Sequence, residues 1–376
     1  MRASAEERAR LLDDFARLCE IESPSTRERA MADAVAGELR ALGLEVEEDG
    51  SAAETGSEAG NLFTRMPAPQ GARTVLLCAH LDTVPVDAPI EVVREEGVFR
   101  NRNAAILGAD NKAAVATIIG TARRLAGGGS PVGVELLFTT CEEPGLRGAK
   151  AFDVGRLRAE YGFVFDHASP IGELIVAAPT YYKIEARFRG AAAHAGIRPE
   201  DGRNAIAAAA GAIGKMPLGR LDEGTTVNVG RIQGGTAANV VAERCRVELE
   251  ARSLDDDRAG ELVGRLVDAA SEAASDAECD VETSVERQFR AYRLPRSAPA
   301  VEAASAALRG VGIEPVYRGT GGGSDAHALT AAGLPVLNVA NGTERNHEPD
   351  ESVSVEALEI MLDVTLGIVE ASASSA

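Results

Sequence analysis

Hydrophobic residues recur at two distinct spacings along the chain, and the change between them divides it. Leu11, Leu12, Phe15 and Leu18 fall on one face of a helix that opens the sequence. A second helix is predicted after Ser23-Pro24-Ser25-Thr26, running to Leu42 and stopping at Gly43. Short, almost wholly apolar runs follow: 74–79 (TVLLCA), 132–139 (VGVELLFT) and 161–165 (YGFVF). These read as buried strands, with helices over 110–125 and 148–157 between them. Such alternation predicts an α/β domain with a mixed, mostly parallel sheet and helices on both faces.

From about Ala178 the apolar positions alternate instead. Residues 182–189 (YKIEARFR), 225–232, 245–252 and 279–289 read as half-exposed strands, and 205–215 and 256–274 as helices. The order strand-helix-strand-strand-helix-strand predicts a small antiparallel α+β domain. LPRSAPAV then starts a return to the first texture. The expected organisation is one discontinuous domain, 1–178 with 296–376, carrying an insertion over 179–295. The Gly/Ser-rich stretches near 50–60 and 126–130 read as loops, and the SASSA tail is expected to fray.

A chain of 376 residues can bury two cores, and a hydrophobic content of 45% suits a globular protein. The formal charge of −19 argues against nucleic-acid and anionic-membrane partners, both of which need a cationic surface. Cys19, Cys78, Cys141, Cys245 and Cys279 are widely spaced, odd in number and form no C-x-x-C pair. That pattern, with no apolar leader and no run of spanning length, predicts reduced thiols and a cytoplasmic protein.

Candidate chemistry sits just after the predicted strands, where open α/β sheets bind ligands. His80 and Asp82 lie two apart in HLDTV, so in an extended chain Asp82 can face His80 and accept its second ring N–H. Asp110 in LGADNK marks a turn entering a helix. It reads either as an N-cap or as a carboxylate spanning two cations about 3.5–4 Å apart. In TTCEEPG the adjacent Glu142 and Glu143 can divide the work of proton transfer and metal ligation. Asp166 ends an apolar strand, with His167 beside it as a competing ligand, and His347 stands in a polar loop, RNHEPD. Each fragment is commonplace alone. Together they supply the histidine and carboxylate donors of a two-metal site.

As a set, HLDTV, ADNK, EEPG, the aspartate after FVF and NHEPD resemble the five metal-site segments of the M20 metallopeptidase family, in order and spacing over nearly the whole chain. ILGADNKAA and GTGGGSDAHAL are most similar to its peptidase T-like branch. The resemblance implies a zinc-exopeptidase-like catalytic domain with an inserted ferredoxin-like lid used for dimerisation. It places one ion on His80, Asp110 and Asp166 and a second on Asp110, Glu143 and His347. Glu142 is then the general base, Asp82 the aspartate supporting His80, and the Asp110–Asn111 peptide a candidate for the cis form.

In the lid, His194 would reach a partner subunit's active site to stabilise the oxyanion. Asn239 and Arg252 would contact substrate, and Gly322 and Gly323 its backbone. The expectation is a homodimeric two-zinc exopeptidase acting on short peptides, with cobalt or manganese able to occupy such N/O sites. The alternatives are an N-acyl-amino-acid amidohydrolase on the same scaffold and a non-catalytic metal- or peptide-binding protein.

Overall fold

The structure, a computed structural model, describes residues 1–373, in two compact units. The first comprises Met1–Val176, Arg293–Arg318 and the chain from Gly323 onward. Its nine-stranded sheet has the central order Val46–Glu48, Leu62–Met66, Gly133–Thr139, Thr74–His80, Tyr161–His167, Val336–Ala340. Parallel pairing is confined to the last four of these, whose interiors are apolar and buried. The strands outside them, Leu62–Met66 on one side and Glu173–Ala178 on the other, pair antiparallel. In the parallel register His80 lies opposite Thr139, and Ala340 opposite His167. The carboxyl ends of the central strands therefore open at one edge.

Helix Ala5–Cys19 begins in a capping box: the Glu7 backbone N–H donates to Ser4 Oγ, and the Ser4 N–H donates to Glu7 Oε2. It buries Leu11, Leu12, Phe15 and Leu18, and the Phe15 ring meets Phe99 edge-on at 5.2 Å. Helix Ala109–Gly128 starts irregularly, because Asp110 and Asn111 hold non-helical backbone angles and the Asp110–Asn111 peptide is cis. The predicted helix over 148–157 is instead Arg147–Ala151 and a separate turn, Val154–Arg156. Between them the Asp153 side chain accepts the Gly155 N–H, an alternative to continuing the helix.

Other local expectations also change. Residues 50–60 contain a short helix, Ala52–Thr55, and helix Ala109–Gly128 absorbs part of the 126–130 stretch. A four-stranded sheet was not anticipated: Thr343–Glu344, Ser352–Ser354, Val98–Asn101 and Val92–Glu95. Its hairpin turns at Glu96-Gly97, both with positive φ (50° and 79°), a turn that matches the strand twist. The last helix, Val355–Ser372, reaches into the SASSA tail, and the rest of the expected fraying concerns residues outside those described, beyond Ala373.

The second unit, Ala177–Tyr292 with Gly319–Gly322, is a five-stranded antiparallel sheet. The order is Gly219–Asp222, Thr225–Gly234, Arg244–Ser253, Thr180–Arg189, Asp280–Phe289, and the first strand was not foreseen. Strand alternation sends Ile184, Ala186, Phe188, Val247 and Leu249 to one buried face. Helices Ala205–Lys215 and Asp256–Asp276 cover that face through Ala208, Ala209, Ala212, Leu262, Leu266 and Ala270. The expected 296–376 segment is interrupted, because Gly319–Gly322 groups with this unit. There the Arg252 guanidinium donates to Gly321 O at 2.8 Å, and the Thr320 N–H to Ala177 O at 3.0 Å. Among the described residues no helix is long and apolar enough to cross a membrane.

Candidate metal centre

The first unit gathers the candidate ligands at the carboxyl edge of its central strands. His80 ends the strand Thr74–His80, Asp166 is the penultimate residue of Tyr161–His167, and Glu142 and Glu143 follow Gly133–Thr139. His80 Nε2 lies 3.2 Å from Asp110 Oδ1 and 3.6 Å from Asp166 Oδ1. His347 Nε2 lies 3.4 Å from Asp110 Oδ2 and 3.0 Å from Glu143 Oε1. Asp110 thus turns one oxygen to each imidazole. His167, adjacent to Asp166 on the same strand, belongs to neither of the ligand clusters found among the described residues.

These donor atoms fit metal ions. A tetrahedral site with zinc–nitrogen and zinc–oxygen bonds near 2.0–2.1 Å has ligand–ligand edges of about 3.3 Å, and the distances above straddle that value. Ligand atoms of His80, Asp110 and Glu143 all lie within 4.8 Å of one another, as do those of His80, Glu142 and Asp166. Glu143 Oε1, though 3.0 Å from His347 Nε2, is buried and has no hydrogen-bond partner. Once His347 has given up its proton, two donor atoms this close are suited to sharing a cation.

Proton affinities in the cluster follow from burial and mutual charge. Burial alone would lower the pKa of His80, but its contacts with Asp110, Asp166 and Asp82 outweigh this and hold it well above the usual value. Burial would raise Asp110, yet the facing His347 and His80 hold its carboxyl below the normal range. Burial, then the Asp110 charge, push Asp166 up to about 7. Burial, then the Asp166 charge, raise Glu142 well above an ordinary glutamate. Contacts with Asp110 and Glu143 raise His347 to about 10. Crowded, desolvated carboxylates of this kind are what a divalent cation neutralises.

The loops are held by carboxylates gripping backbone amides. Asp82 Oδ1 accepts the Glu142 N–H at 2.9 Å, and Oδ2 accepts the Glu143 N–H at 3.2 Å and the Ser25 hydroxyl at 2.7 Å. With both oxygens engaged, the Asp82 carboxylate stays 3.5 Å from His80 Nδ1, whose nearer partner is the Asp82 backbone carbonyl at 2.9 Å. The Asp82 carbonyl is therefore the nearer of the two Asp82 groups that face His80 Nδ1.

Residues outside the predicted set support the cluster. Glu28 Oε1 accepts the N–H of Cys141 at 3.0 Å, securing that non-glycine residue at φ 50° just before Glu142. The Asn346 amide donates to Asp110 Oδ2 at 2.8 Å. Asp325, bonded to the Thr139 hydroxyl, is pushed up to about 6 by burial. Asn346 and Asp325 stand inside quoted motifs and could have been flagged, whereas Glu28 has no local signal.

The remaining predicted residues lie mainly in the second unit. His194 and Asn239 sit on adjoining loop segments: His194 bridges to Val240, and the Ala195 N–H donates to Asn239 O at 3.0 Å. Arg252 is fixed by Glu250 through bonds of 3.2 and 3.1 Å, and stacks over Tyr181 at 4.2 Å. Its bond to Gly321 O places it beside Gly322, whose N–H donates to Thr320 Oγ1 at 3.1 Å. Gly323 belongs to the first unit.

Comparison with known proteins places this geometry in context. The peptidase dimerisation domain family matches residues 180–278, and peptidase family M28 matches residues 61–170. The chain is 35% identical to the uncharacterised protein YqjE of Bacillus subtilis, over 97% of this chain and 98% of the other. It resembles the crystal structure of aminopeptidase PepT from Bacillus cereus, with TM-score 0.90, 36% identity, and 97% and 99% of the two chains covered. A tripeptidase from Staphylococcus aureus superposes with TM-score 0.94 at 31% identity, covering 98% and 99%.

Proposed function

Because this chain belongs to the M20 peptidase family, in its peptidase T-like branch, we propose that it is a two-zinc exopeptidase removing residues from the amino terminus of short peptides, tripeptides foremost. The observation that carries the two-metal part is Asp110, with Oδ1 toward His80 and Oδ2 toward His347. His80, Asp110 and Asp166 would hold one ion, and Asp110, Glu143 and His347 the other. When bound, the ions would supply Lewis-acid polarisation of the scissile carbonyl and acidify water in the site.

The chain's own residues supply the rest. Glu142 takes the proton of the attacking water at its carboxylate and returns it to the departing amine. A buried carboxylate beside the ligands can both accept a proton and give it up. Asp82 holds Glu142 in place through the backbone. His194, supplied by a second subunit through the inserted unit, stabilises the oxyanion. Asn239, Arg252, Gly322 and Gly323 bind substrate. The match of residues 180–278 to a dimerisation domain supports the homodimer, and five free cysteines support a cytoplasmic site of action.

The test is hydrolysis of matched tripeptides with free and blocked termini by zinc-loaded protein, beside N-acetyl and N-succinyl amino acids. Cleavage that requires a free amino terminus is the expected result. Cleavage of the acylated amino acids alone would replace this reading with an amidohydrolase. Mixing His194→Ala and Glu142→Gln subunits should restore activity to inactive parents if His194 acts across subunits.

A further inference from the structure

We infer that Glu351 is a positioning residue that fixes the main chain carrying the Asp110 carboxylate, the group that would bridge two ions; this rests on the two-metal reading above. A helix start leaves backbone N–H groups without partners, and an aspartate there ordinarily turns its side chain back onto them. Asp110 does not. The N-cap position is Gly108, which has no side chain to offer and holds φ +76°.

The amides leading into the helix are held from a distant segment. Glu351 is 1% exposed. Its Oε2 accepts the N–H groups of Leu107 and Gly108 at 2.8 and 2.7 Å, and its Oε1 accepts the N–H of Asp110 at 2.9 Å. Glu351 thereby fixes the main chain from Leu107 to Asp110, while the Asp110 side chain turns Oδ1 to His80 and Oδ2 to His347 and Asn346. The same segment reaches Asp110 from its other end, through Asn346 and His347. One stretch, NHEPDE, therefore supplies a candidate ligand and fixes the main chain of the bridging residue opposite it.

Only a carboxylate satisfies this arrangement. Three N–H donors converge on two oxygens, so Glu351→Gln places an amide NH₂ against a backbone N–H whichever way it turns. Glu351→Asp keeps the charge but withdraws it by one methylene. Both variants, with wild type, would be titrated with zinc against a chelating indicator, alongside metal-free thermal unfolding and steady-state kinetics on a tripeptide.

Folded variants with zinc affinity reduced about 10–100-fold, and kcat falling more than KM changes, are expected. A variant that folds and binds two zinc ions as tightly as wild type overturns the proposal. So does a lowered metal-free unfolding temperature with unchanged affinity, or failure of both variants to fold, since either would make Glu351 a general structural residue. Wild-type protein that binds no zinc would instead sink the two-metal reading itself.

Discussion

Asp82 Oδ1 accepts the backbone N–H of Glu142 at 2.9 Å, so the residue placed beside His80 by the HLDTV motif acts on the proposed base through its main chain. Its second oxygen holds Glu143 in the same way. Asp82→Asn keeps the shape but turns an NH₂ toward one of those amides. We expect kcat to fall about 10²-fold through displacement of Glu142, with zinc content and KM little changed. Steady-state kinetics with metal analysis checks this, and an unaltered kcat would rule out the clamp.

Glu142→Gln removes the proton acceptor while conserving volume. The expected loss in kcat is about 10²–10⁴-fold with both ions retained. Elemental analysis separates the possible roles, since departure of an ion with the carboxylate would make Glu142 a ligand.

Chelation should abolish activity and lower the unfolding temperature, with zinc restoring both. At free zinc 100-fold above Kd each site adds about 2.7 kcal/mol. Binding must also displace protons: His347, held up to about 10 by Asp110 and Glu143, is protonated at neutral pH in the ion-free chain. Apparent zinc affinity therefore rises with pH towards that value. Calorimetry in buffers of different ionisation enthalpy should register the released proton, and identical heats in all buffers would contradict it.

The second unit's core depends on small residues. Ala209 is fully buried between the sheet and helix Asp256–Asp276. Ala209→Leu should destabilise the protein by about 1–3 kcal/mol through overpacking, seen as an earlier denaturation midpoint. Full retention of stability would mean that this interface is loosely packed.

Much of this protein was legible in one dimension. Helix Ala205–Lys215 falls where its alanine-rich pattern predicts, and the strand Arg244–Ser253 follows its two-residue alternation, because periodicity records which face is buried. The hairpin Val92–Glu95 and Val98–Asn101 was not legible. Its strands are four residues long, and its Glu96-Gly97 turn lacks the Asn-Gly or Asp-Gly signal.

The site divides along the same line. His80, Asp110, Glu142, Glu143, Asp166 and His347 stand in short motifs at strand ends and loops, so their candidacy is visible in the sequence. Which oxygen of Asp110 faces which imidazole is not, nor that the Asp82 carbonyl lies nearer to His80 than the Asp82 carboxylate does. Glu28 and Glu351 act on backbone amides 113 and 241 residues away. A carboxylate bonding to main-chain N–H groups requires no particular residue opposite it. Such partners leave no trace in residue types, and only the folded chain brings them together.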